Sequence, residues 1–219
     1  MFPISDVIPS RTPPVVTVAI IVVNALIFLY QLTLPEPALQ LFVGAYAVVP
    51  AHFHPATLIT SQFLHGGVLH VGGNMLYLWI FGDNVEDTLG HGRYVVLYLI
   101  AGIAAAATQI AVNPRSSVPM IGASGAVSGV LGAYILLFPF AGVQMLVIFG
   151  FFARIVRWPA LVVLGFWIVI QALSGILTFS SASWGGGEAG GTAWFAHIGG
   201  FLAGMALLFL MRPRRVGRL

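Results

Sequence analysis

The 219-residue sequence contains no cysteine and no lysine, and only 7% of its residues are charged. Without cysteine there is no disulfide framework, no thiolate metal site and no thiol nucleophile. Charges this sparse cannot cover the surface of a water-soluble domain, which normally devotes about a quarter of its residues to them. A soluble enzyme, a nucleic-acid-binding domain and a disordered tail are thereby excluded. What is present is apolar: 59% hydrophobic residues and a mean hydropathy of +0.99, the composition of an integral membrane protein whose first partner is the lipid bilayer. The pI near 9.7 would ordinarily suggest an anionic partner. Here all nine basic side chains are arginines, and they gather at the ends of apolar segments, where they signal orientation.

A bilayer core of about 30 Å is crossed by about 20 apolar residues. Residues 14–34 supply 21 without a small-residue cleavage site, which predicts a retained helix rather than a signal peptide. Residues 35–64 carry Pro35, Pro37, Pro50 and Pro55 with a single charge, Glu36, and read as a partly embedded loop. Further spans are expected at about 65–82, 94–112, 122–140, 159–178 and 192–211. The expected fold class is therefore an all-α membrane protein, a bundle of six transmembrane helices over 14–211. A short tail over 1–13 precedes it and a basic tail over 212–219 follows. Segment 141–158, apolar but interrupted by Arg154 and Arg157, reads as an interfacial piece or an extra turn of helix. Eight of the nine arginines then share a side with both termini, and Arg115 alone lies opposite. By the positive-inside bias both termini are cytoplasmic.

With that orientation the second, fourth and sixth helices all run inward. Counted back from their inner ends at 1.5 Å per residue, Ser124, His197 and His70 lie at about 24, 21 and 20 Å. Asn74 follows His70 by four residues, on the same face and one turn deeper. Polar groups at membrane depth are costly unless paired or facing water, so four at one level read as a site. Pro119 and Gly122 break the backbone ahead of Ser124, which places that hydroxyl in a first helical turn, where unpaired N–H groups and the positive dipole end can hold a developing anion. A serine beside a neutral histidine is the minimal acyl-transfer pair. His70, Asn74 and the Ser124 N–H can donate to the oxyanion. Asp6, Glu36, Asp83, Glu86, Asp87 and Glu188 all read as tail or loop residues, so a dyad rather than a triad is expected. Glycines at 122, 125, 129 and 132, matched by 199, 200 and 204, form the small-residue stripes of closely packed helices. The sequence has no His-Glu-x-x-His and no intramembrane carboxylate for a metalloprotease. It also lacks the inverted repeat of a transporter.

Gly122-x-Ser124-Gly125, His65-x4-His70-x3-Asn74-Met75 and Ala196-His197-Ile198-Gly199-Gly200, with Gly82-x3-Glu86-x3-Gly90, resemble in order the motifs of the rhomboid family of intramembrane serine proteases. The resemblance covers about residues 14–211 and implies the six-helix core of bacterial members in a multi-pass cell-membrane location. It implies Ser124 as nucleophile, His197 as general base, and His70, Asn74 and Gly122 as the oxyanion site. The implied substrates are single-pass membrane proteins cut in or beside their transmembrane segment, with no cofactor, metal or nucleic acid. A catalytically silent relative that binds membrane helices is the alternative, and it would be expected to lose Ser124 or His197; both are present. Ser128 stands where some members place an aromatic residue against the catalytic histidine, and the first loop lacks a Trp-Arg pair found in others. His65 reads as a loop brace and Glu86 as a cap or loop clamp. His52, His54 and His91 read as interfacial or solvated, Trp184 and Trp194 as the outer aromatic belt and Trp158 as the inner one. The glycine-rich run 185–191 reads as a hinge that lets an outer loop lift.

Overall fold

The computed structural model of the chain describes residues 2–150, 152–183 and 193–211. Strand β1 (Phe2–Asp6) leads to the apolar helix α1 (Val15–Thr33), which begins behind Pro13 and Pro14 and ends ahead of Pro35. The proline-rich stretch expected as a loop contains α2 (Glu36–Tyr46), with proline in its first turn, and the single turn α3 (Thr57–Thr60); proline is tolerated at that end because the first N–H groups have no helical partner. Then come α4 (Val68–Leu89), α5 (His91–Val112), α6 (Ser124–Leu137), β2 (Gly142–Phe149), β3 (Phe152–Pro159), α7 (Ala160–Ser183) and α8 (Trp194–Met211). Among the described residues, four helices are long and apolar enough to cross a membrane: α1, α5, α7 over Ala160–Thr178, and α8. Of the remaining two expected spans, α4 has the length but ends in acidic residues, and α6 has only 14 residues. At about 21 Å that helix is short for a bilayer, and it lies enclosed by α4, α5 and α8, with nearly every residue buried.

Helix α8 is wedged between α5 and α6 by residues without side chains. A Cβ at Gly200 would collide with the carbonyl oxygen of Gly125, one at Gly204 with that of Gly129, and one at Gly132 with that of Phe201; on the other side Gly199 lies against Thr108. The two stripes read from the sequence thus face each other, and the backbones meet directly. Around this seam the core is filled by Phe81, Tyr94, Tyr98, Leu131 and Tyr134.

Three expectations are corrected. Helix α4 does not end near residue 82 but continues through Leu89, so Asp83, Glu86 and Asp87 are helical rather than loop residues. Each carboxylate is engaged by the chain's first residues. Glu86 accepts from the backbone N–H of Val16 (2.9 Å) and Thr17 (2.8 Å) and from the Thr17 hydroxyl (2.7 Å), which caps α1. Asp83 accepts from Ser10 Oγ (2.7 Å) and Asp87 from Thr12 (3.0 and 2.6 Å). The short tail over 1–13 is accordingly bound, with β1 and the segment after it held along the end of α4. The chain is also not all-α. Segment 141–158 forms not an extra turn of helix but an antiparallel hairpin, turned at Gly150 with φ +56° and closed by Phe149 opposite Phe152. Strand β1 adds to its other edge, Phe2 opposite Leu146 and Asp6 opposite Val143, giving the order β1-β2-β3. Val143, Met145 and Val147 alternate inward from β2, the two-residue period of a strand with one buried face. The tail 212–219, Trp184, Glu188 and the run 185–191 lie outside the described residues.

Candidate active site

The backbone turns into α6 at Gly122, whose φ of +125° is a region that residues with a Cβ rarely adopt. A Cβ there would also stand 2.6 Å from His70 Nε2. The Gly122 amide donates to the Ser61 carbonyl at 2.9 Å, so this glycine supplies the turn and the room for His70 rather than a free donor. The next residue, Ala123, directs its N–H at His65 Nε2 (3.5 Å). The backbone of His65 is gripped at both polar atoms by the Gln31 amide (3.0 and 3.1 Å). The loop ahead of Ser124 is therefore braced against α1, with His65 as its buried strut.

Ser124 is the first residue of α6, so its own N–H has no helical carbonyl one turn back; the Val127 N–H is the first to find one, at Ala123 (2.9 Å). Its Oγ lies 2.9 Å from His197 Nε2, a contact made possible where the glycines let α8 lie against α6. Two of the residues brought to one depth by the sequence are thus in hydrogen-bond contact. His197 is buried, and its other ring nitrogen, Nδ1, lies 2.7 Å from Gln171 Oε1 on α7. The Trp167 ring flanks it at 5.8 Å with 34° between planes, and Trp194 meets it edge-on at 6.3 Å. Ser128, one turn after Ser124, turns its hydroxyl back to the Ser124 carbonyl (2.6 Å).

Facing this pair from α4 are His70 and Asn74. The Gly66 N–H donates to His70 Nδ1 (3.3 Å), which leaves the neutral ring's proton on Nε2, the nitrogen turned toward Gly122. The Asn74 side-chain nitrogen is buried with no hydrogen-bond partner among the described residues. His70, Asn74, Ser124, Trp167, Gln171 and His197 all line one cavity of about 980 Å³. Its contents are a hydroxyl beside an imidazole acceptor, with N–H donors opposite. Such a set can attack a carbonyl carbon and receive the charge that develops on its oxygen.

The other histidines lie elsewhere: His52 and His54 are exposed, and His91 Nδ1 contacts Glu86 at 2.6 Å. Trp158 sits half-exposed on β3. Gln171 is absent from the residues singled out in the sequence. Its signal was there: it is the only amide in an otherwise apolar run, on the buried stripe of α7 that also carries Ala160 and Leu164.

A Rhomboid domain model matches residues 52–214. RHOMBOID-like protein 1 of Arabidopsis thaliana is 34% identical over 72% of the chain, and Rhomboid-type serine protease 2 of Emericella nidulans is 29% identical over 70%. Rhomboid protease GluP of Bacillus subtilis is 42% identical over a shorter stretch, 35% of the chain. The matches cover 35%, 26% and 14% of those proteins' own lengths, so the chain spans about a third of the first and less of the other two. The domain match takes in α4 through α8, the helices that carry Ser124, His197, His70 and Asn74, and on that basis the chain belongs to the rhomboid family.

Proposed function

We propose that the chain is an intramembrane serine endopeptidase that cuts transmembrane segments of single-pass membrane proteins with a Ser124–His197 dyad. The observation that carries this reading is the 2.9 Å contact between Ser124 Oγ and His197 Nε2 at the first turn of a helix. Two relatives named as proteases support it. In the first half-reaction His197 Nε2 takes the hydroxyl proton as Oγ adds to the scissile carbonyl. The oxyanion so formed receives hydrogen bonds from the Ser124 N–H, Asn74 Nδ2 and His70 Nε2. Collapse expels the amine, to which His197 returns the proton, and leaves an ester on Ser124. Water, deprotonated by the same nitrogen, then releases the acid and the free hydroxyl.

In a helical substrate each carbonyl is engaged by the N–H four residues on, so the segment must unwind locally before its carbonyl can reach Ser124. That favours substrates with helix-destabilising residues near a small residue at the cut. The orientation we propose, with both termini cytoplasmic, rests on the arginine distribution.

The test is incubation of the purified chain with a panel of single-pass substrates, alongside Ser124→Ala and His197→Ala. The parent cleaves, both variants fold and do not, and a phosphonate probe labels Ser124 alone. Cleavage by Ser124→Ala would overturn the reading. Helix binding without cleavage by the parent would establish the silent alternative.

A further inference from the structure

We propose that Gln171 is a positioning residue for His197, holding the imidazole as the Nδ1–H tautomer so that the bare Nε2 faces Ser124. The inference rests on the protease reading and deepens it, for it converts the expected dyad into a chain of three side chains from three helices.

A neutral imidazole has one proton for two nitrogens, and only the form with an unprotonated Nε2 can accept the serine proton. Something must therefore hold the proton on Nδ1. Gln171 Oε1 is 2.7 Å from that nitrogen. Which end of the amide faces the ring is fixed at its other end: Gln171 Nε2 donates to the Trp167 carbonyl, one turn back on α7, at 3.3 Å. The oxygen is left facing His197, and an amide oxygen only accepts. Nδ1 must then donate, Nε2 must accept, and the Ser124 hydroxyl at 2.9 Å must donate. All the bonds from Trp167 to Ser124 run in one compatible direction.

Neighbouring groups cannot do this. Trp167 and Trp194 limit the tilt of the ring by contact with its face and edge, but an aromatic wall does not distinguish one nitrogen from the other. Ser128 is committed to the Ser124 carbonyl. A carboxylate in this place would hold the tautomer equally well but would bury a charge at membrane depth. The amide dipole still favours the N–H as the ring becomes cationic during attack, without that cost.

The experiment compares Gln171→Leu, of similar size but with no acceptor, with Gln171→Glu, which restores one, in the full chain. Its readouts are kcat, KM and the 15N resonances of histidine-labelled protein. We expect Gln171→Leu to lower kcat by about 10- to 100-fold, as loss of a group that orients a histidine commonly does, with KM nearly unchanged, and Gln171→Glu to recover most of the loss. The His197 resonances should show one protonated and one bare nitrogen in the parent and move toward averaged values in Gln171→Leu. Unchanged kcat in Gln171→Leu would overturn the proposal. So would equal loss in both variants with the nitrogen resonances unmoved. The spectra can also be recorded on Ser124→Ala protein, where they report the Gln171 bond whether or not the chain is a protease. A chain that keeps the tautomer but cleaves nothing refutes the protease reading alone.

Discussion

Asn74 buries an amide nitrogen with nothing to bond to among the described residues. An unpaired buried donor costs about 1–3 kcal/mol, a cost repaid only if an acceptor arrives there. A carbonyl oxygen turning into an oxyanion is such an acceptor. Asn74→Ala is therefore expected to lower kcat and kcat/KM together by on the order of a hundredfold, with KM and thermal stability close to the parent. Paired kinetics and denaturation in detergent check this: a fall in melting temperature with normal kcat would make Asn74 a helix tie instead. His70→Ala should follow the same pattern, and the double variant should be less than additive, as the proposed sharing of one oxygen by both donors requires. At this scale Ser124, His197, His70 and Asn74 were legible because polar residues in apolar helices are few and their depths could be counted. Gln171 was not, since the depth count took in only the second, fourth and sixth expected helices and α7 corresponds to the fifth. Its partner lies 26 residues away across a helix contact that no local pattern announces.

Helix α8 sits where it does because its glycines admit the carbonyl oxygens of α6. Gly204→Val adds atoms at a point already closed by Gly129, and overpacking of this kind costs about 1–3 kcal/mol. We expect a lower melting temperature, and slower labelling of Ser124 by an electrophilic probe as His197 is drawn away. Gly165→Ala is the control: no neighbour lies within 4 Å of its added carbon, and labelling should be unchanged. Most helices were readable from apolar runs bounded by proline or glycine. The end of α4 was not, since Asp83, Glu86 and Asp87 look like a loop until their N-terminal partners are seen to bind them. The hairpin was hidden for a similar reason: in a chain this apolar, hydropathy masks the alternation of β2, and its edge is completed by residues far back in the sequence.

Across the whole molecule the N-terminal segment ties the parts together. Its strand joins the hairpin between α6 and α7, Ile8 accepts from Asn84 (3.0 Å), and Ser10, Thr12 and Thr17 hold the acidic end of α4. Asp6 sits in this tie, accepting from the Tyr134 hydroxyl. Burial, with help from the nearby Asp83 charge, pushes its carboxyl from 3.8 up to about 6. A raised carboxyl favours the protonated form in the fold, so its contribution is complete below about 4 and is lost as pH rises through about 6. Protection of β1 backbone amides against exchange, corrected for intrinsic rate, should accordingly fall between pH 4 and pH 7 and level off above. Asp6→Asn should remove that dependence, and an unaltered profile in Asp6→Asn would show that another group is responsible. The pairing of Phe2 with Leu146 has a consequence in time as well as in space. About 140 residues separate the partners, so at a synthesis rate of about 5–20 residues per second β1 waits roughly 7 to 30 s for β2 to be made. During that interval the strand must stay unpaired and near the membrane while α1 through α6 are threaded. The sheet is thus a late closure, formed only when most of the bundle has been delivered.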